Sequence, residues 1–167
     1  MNAMRIGRFV VLAATVLVVL SGLSSPAGDA EAQPPAAEQT VLGPGMYIYQ
    51  TRTRSASCND DERTGYVSSF VAPIHGVPGS RSMRMQLVNS PWWPQWTLTV
   101  DASGLVSGDA TLHNSRPGPD QPRSHFEVRL DGPRFTGTGW RSYQSTVDGQ
   151  PRTCRVEFDA LLRRIDL

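Results

Sequence analysis

From residue 46 onward, apolar and polar side chains alternate in short segments. Met83, Met85 and Leu87 are separated by Arg84 and Gln86, and Trp96, Leu98 and Val100 by Thr97 and Thr99. Phe126, Val128 and Leu130 alternate with His125, Glu127 and Arg129. A period of two sends successive side chains to opposite faces of a strand, so each segment carries one core face and one wet face, as antiparallel sheets do. No stretch of useful length has helical spacing. The segments 46–54, 65–72, 81–89, 96–101, 105–113, 124–130, 134–147 and 150–163 predict eight strands and an all-β fold.

The connections are short. Asp148 and Gly149 form the two-residue signal of a type I′ hairpin, and Asp131-Gly132-Pro133 and 101–104 mark tight turns, which favours a meander of sequential strands. Cys58 follows the first predicted strand and Cys154 lies in the early half of the last. In an up-and-down meander those places are neighbours only if the sheet closes, so a Cys58–Cys154 disulfide points to a closed eight-stranded β-barrel. A two-sheet β-sandwich is the alternative that the same strand count allows. Glycines at 104, 108, 137 and 139 suit the sharp bends and close backbone approaches of a small barrel.

The N-terminus has a different character. A short segment containing Arg5 and Arg8 runs into an unbroken apolar and small-residue stretch from Phe9 to Leu20, the layout of a secretory signal. That stretch falls short of the roughly 20 residues a membrane span requires. Ala30-Glu31-Ala32 fits a cleavage site, so 1–32 reads as signal peptide, 33–44 as a Pro- and Ala-rich disordered leader, and 45–167 as a single domain. The expected location is periplasmic or secreted, where two cysteines pair and stay paired. No membrane span is expected after cleavage.

Charge changes the picture only by exclusion. The net charge is +1 and every basic residue is Arg, scattered rather than clustered, so nucleic acid is not an expected partner. His75, His113 and His125 lie on a loop and two strands without metal-ligand spacing and read as surface residues. Asp60-Asp61-Glu62 lacks the alternating ligands of a calcium loop and reads as a solvated turn. There is no nucleophile motif or phosphate-binding glycine loop, and no cofactor is implied. The chain reads as a binding module rather than an enzyme.

The distinctive residues are the tryptophans. Trp92, Trp93 and Trp96 fall within five residues, bracketed by Pro91 and Pro94, so some indole surface is expected at one barrel mouth. Trp96 shares the core parity of Leu98. The other reading is that these rings plug the barrel end. Trp140 faces away from Gly137 and Gly139; the glycines leave internal space for a ligand, or a neighbour's aromatic ring lies over them.

In overall pattern the chain resembles the lipocalin and avidin class of small barrels but carries neither family's specific motifs, so that resemblance assigns no functional residue. The expected function is capture of a small, partly apolar ligand by Trp92, Trp93, Trp96 and Trp140. The alternative is a protein-interaction module, such as an inhibitor of an exported hydrolase, using a stiff loop at 90–95 or 115–123.

Overall fold

A computed structural model describes residues 41–58, 63–118 and 120–165. The segment read as signal peptide, the leader up to residue 40, and Asp60-Asp61-Glu62 lie outside the described residues. Eight strands follow one another: β1 (Gly45–Ala56), β2 (Val67–His75), β3 (Ser82–Gln86), β4 (Gln95–Val100), β5 (Val106–Thr111), β6 (Arg123–Asp131), β7 (Arg134–Val147) and β8 (Gln150–Arg164). Each pairs antiparallel with the next, and β1 pairs with β8 from Tyr47↔Arg164 to Ala56↔Val156, closing the sheet into a barrel. Closure decides between barrel and sandwich. Cys58 and Cys154, 96 positions apart in sequence, form a disulfide across that seam with their Cα atoms 5.6 Å apart.

Strand ends differ from the sequence reading for local reasons. β3 stops at Gln86 because the chain turns through a loop in which the Leu87 N–H donates to the Pro94 carbonyl and Asn89 takes a left-handed backbone with φ 61°. β2 runs past Ala72 and includes Pro73. The Val88 N–H donates to the Val71 carbonyl, so odd-numbered β2 residues aim their backbone groups toward β3. Pro73 thus lacks its N–H on the side where β2 and β3 share only the pairs Ile74↔Met85 and His75↔Arg84, a place where a strand tolerates proline.

On β3, β4 and β6 the alternation assigned the inward faces correctly at Met83, Met85, Trp96, Leu98, Val100, Phe126 and Val128. Tyr49, Trp96 and Phe126 meet in the middle of the barrel, with ring centroids 5.1 to 5.7 Å apart. Such tilted aromatic contacts add to the stabilisation from area burial. Leu98, Val106, Phe126 and Leu162 have 0 % exposure, so side chains occupy the interior around them. Leu130, which shares their parity, is instead exposed because it lies beyond the packed interior at the end of β6.

The inward glycines are filled by neighbours. A methyl group at Gly108 would run into the Phe126 ring, one at Gly139 into the Phe158 ring, and one at Gly137 into the Glu127 carbonyl oxygen. The rings therefore take the volume that glycine side chains leave.

The two ends are closed differently. At the lower end, where β1 begins and β8 stops, Leu42 is 2 % exposed and helps line a recess of ≈ 360 Å³ with Val100, Val106 and Phe135. The Tyr47 hydroxyl donates to the Gly43 carbonyl at 2.9 Å and holds this entry segment in place. Packing thus begins at Leu42, ahead of Met46. At the upper end, β7 pairs with β6 only as far as Ser142, and beyond it the β7–β8 hairpin continues as a two-stranded ribbon.

Candidate functional site

Of the four tryptophans, Trp96 and Trp140 both line one groove, whereas Trp92 and Trp93 do not. Trp92 is 65 % exposed in the β3–β4 loop, whereas Trp93 and Trp96 are 8 % and 3 % exposed and belong to the core. The Trp96 indole N–H donates to the Trp93 carbonyl at 2.9 Å, and the Trp93 backbone N–H donates to the Ser90 hydroxyl at 3.2 Å. These two rings close the upper end and are satisfied there. Trp140 stands on the outer wall of β7, half-buried.

The loop at 115–123 is pinned down as well. The Ser115 hydroxyl donates to the Leu112 carbonyl at 2.7 Å, and the Gln121 side-chain amide donates to Ser115 Oγ at 3.0 Å. The His113 N–H donates to the Trp92 carbonyl at 2.9 Å, joining the two loops at the upper end.

The outer wall holds a more organised arrangement. Strand register places His75, Arg84, Thr97, Asp109, His125, Trp140, Glu157 and Ser55 opposite one another in turn, forming a belt around the barrel. One step higher, Gln86 faces Gln95, and Thr111, Arg123, Ser142 and Arg155 follow in register on β5 to β8. Between these two rows lies a groove of ≈ 740 Å³ lined by His75, Arg84, Gln86, Gln95, Arg123 and Trp140, among others. The groove is a product of register: its lining comes from six strands, β2 to β7, and includes the inward-facing Met85, Trp96 and Ala110 beside the outward-facing side chains.

Charges in the belt are unevenly matched. His125 Nδ1 lies 2.8 Å from Asp109 and its Nε2 3.7 Å from Glu127. Arg155 pairs with Glu157 at 3.0 Å, and its guanidinium lies 4.6 Å from the Trp140 ring centroid. The His125 ring sits 6.0 Å from Trp140 on the neighbouring strand. Trp140 is therefore braced from both flanking strands. Arg84 and Arg123, by contrast, make no ion pair or side-chain hydrogen bond among the described residues, so the groove presents two guanidiniums with donor capacity to spare.

One buried group departs from the ordinary. The Tyr49 hydroxyl has no hydrogen-bond partner among the described residues, and burial pushes its pKa well above the usual tyrosine range, with the Arg141 charge acting weakly the other way. Interior packing around the ring leaves it sealed from the groove.

Among the described residues no three His, Cys, Asp or Glu side chains are grouped to hold a metal ion, and no helix is long and apolar enough to cross a membrane. Arg84 and Gln86 were legible as wet-face residues of a predicted strand, whereas His75, Gln95 and Arg123 read as loop residues and instead lie on β2, β4 and β6. Which of them stand side by side depends on cross-strand register. The chain matches no protein-family model, and no curated protein or solved structure shows significant similarity to it.

Proposed function

We propose that this protein is an exported binding module whose site is the groove on the outer wall of β2 to β7. The observation that carries the reading is the pairing of a ≈ 740 Å³ groove with two arginines that the rest of the wall leaves unmatched. Convergent polar groups beside an aromatic wall are what fixes a ligand's orientation in a site. A guanidinium without an internal partner is available for charge-assisted hydrogen bonds. The interior is a poorer candidate because aromatic rings and aliphatic side chains fill it. Export is supported by the disulfide, which belongs to oxidising compartments, and by the signal-like character of 1–32.

Native mass spectrometry of the protein taken from the exported fraction of its cells tests the reading. A non-covalent adduct on the wild-type chain that disappears in an Arg84→Gln/Arg123→Gln variant supports it. The same adduct on both proteins places the ligand elsewhere and contradicts it.

A second reading is favoured by Trp92, whose ring is 65 % exposed on a loop tied to the β5–β6 loop. An exposed indole on a stiff loop suits insertion into a partner protein. Here Trp92→Ser abolishes capture of an exported protein and leaves ligand binding in the groove intact.

A further inference from the structure

We propose that the groove takes an acidic polysaccharide chain. This rests on the groove being the binding site and names the ligand class from charge, spacing and wall chemistry.

Charge comes first. Within the groove, Asp109 is engaged by His125 at 2.8 Å, while Arg84 and Arg123 have no ion pair among the described residues. The unmatched charge is positive, so the ligand that gains most brings negative groups.

Spacing comes second. Arg84 belongs to β3 and Arg123 to β6, with β4 and β5 between them. Three strand spacings separate their backbones by roughly 14 Å. A single compact anion engages both arginines only if both side chains extend toward it across β4 and β5, whereas a chain with negative groups repeated along its length meets each where it stands.

The wall decides between a glycan and a peptide. Extended peptides are held by main-chain hydrogen bonds to a free sheet edge or by apolar pockets for alternate side chains. β4, β5, β6 and β7 are each paired on both sides, so the groove floor offers no free edge along them, and β3 joins β2 at Ile74↔Met85 and His75↔Arg84. Its lining carries polar side chains, with Gln86 facing Gln95 and Thr97 and Thr111 beside them, alongside apolar surface from Met85, Trp96, Ala110 and Trp140. Planar amides and hydroxyls both donate and accept, matching sugar hydroxyls, and the indole supplies an apolar surface for the C–H groups of a sugar ring.

Isothermal titration with a galacturonate hexamer, a neutral cellohexaose and poly-L-glutamate tests the proposal on the wild-type chain, on Arg84→Gln/Arg123→Gln, and on Trp140→Ala. The expected result is binding of the galacturonate hexamer that weakens with salt and falls by at least about tenfold in the double Arg variant, with cellohexaose weaker by a similar factor. Equal affinity for both hexamers, unaffected by the Arg substitutions but lost in Trp140→Ala, overturns the acidic class and leaves the groove reading standing. Poly-L-glutamate binding as tightly as the galacturonate hexamer overturns the sugar. Binding by no probe, or binding indifferent to all three substitutions, overturns both. Circular dichroism of each variant separates loss of binding from loss of fold.

Discussion

The guanidinium of Arg155 lies 4.6 Å from the ring centroid of Trp140 and is held there by its 3.0 Å ion pair with Glu157. The contact fixes the indole that forms one side of the groove, and His125 limits the ring from the opposite strand. Arg155→Ala should uncover one face of Trp140, giving a red shift in tryptophan emission and stronger acrylamide quenching, with a stability loss of about 0.5–1 kcal/mol. Unchanged quenching would show that the stacking does not shield the ring.

The inward glycines should rank by what stands over them. Gly108→Ala pushes against the Phe126 ring, which can shift, so urea unfolding should register a loss of about 1–3 kcal/mol. Gly137→Ala meets the Glu127 backbone carbonyl, which the β6–β7 ladder holds, and should cost more than Gly108→Ala. Equal losses would contradict the close backbone approach at Gly137.

The disulfide closes a long loop, its cysteines 96 positions apart, and spans the seam that completes the barrel. Replacing both residues, Cys58→Ser with Cys154→Ser, should lower unfolding stability by up to roughly 4–5 kcal/mol in the chain-entropy view. The midpoint of denaturant unfolding measures it, and reductant should reproduce the effect on the wild-type protein while leaving the variant unmoved.

Tyr49 carries a pH signature. Burial raises its folded pKa above that of an unfolded tyrosine, so the folded state keeps a proton that the unfolded state gives up. Its contribution is fully present below about pH 10 and is lost as pH rises, at about 1.4 kcal/mol per unit until the folded group itself ionises. Tyr49→Phe removes a hydroxyl without a partner, so it should be neutral or stabilising by about 1 kcal/mol at pH 7 and should unfold less steeply above pH 10. A large loss of stability at neutral pH would reveal a partner for that hydroxyl.

Fold and site were not equally legible in the sequence. Alternation at Met83–Leu87 and Trp96–Val100 exposed the strands, and the positions of Cys58 and Cys154 exposed closure, because both signals are local or pairwise. β2 ran past its expected end because proline is excluded only where its missing N–H is needed, and the β2–β3 ladder is short there. Trp93 and Trp96 drew notice as aromatic residues near a mouth, yet the Ser90 hydroxyl and the Trp93 carbonyl satisfy them within the core. Arg84 and Arg123 are 39 positions apart; the first looks like an ordinary wet-face residue and the second like the end of the 115–123 loop. Only strand order and register bring them to one groove.

The central claim is that the outer groove, and neither the barrel interior nor the mouth, binds the ligand. Nitrogen-edited NMR titration of the disulfide-bonded protein with the galacturonate hexamer tests it most directly. The account predicts saturating shifts at the side-chain amides of Gln86 and Gln95, the Trp140 indole and the Arg84 and Arg123 guanidinium groups, with the Trp92 and Trp93 indoles unmoved. Shifts confined to Trp92, or centred on the core amides around Tyr49 and Phe126, would contradict it.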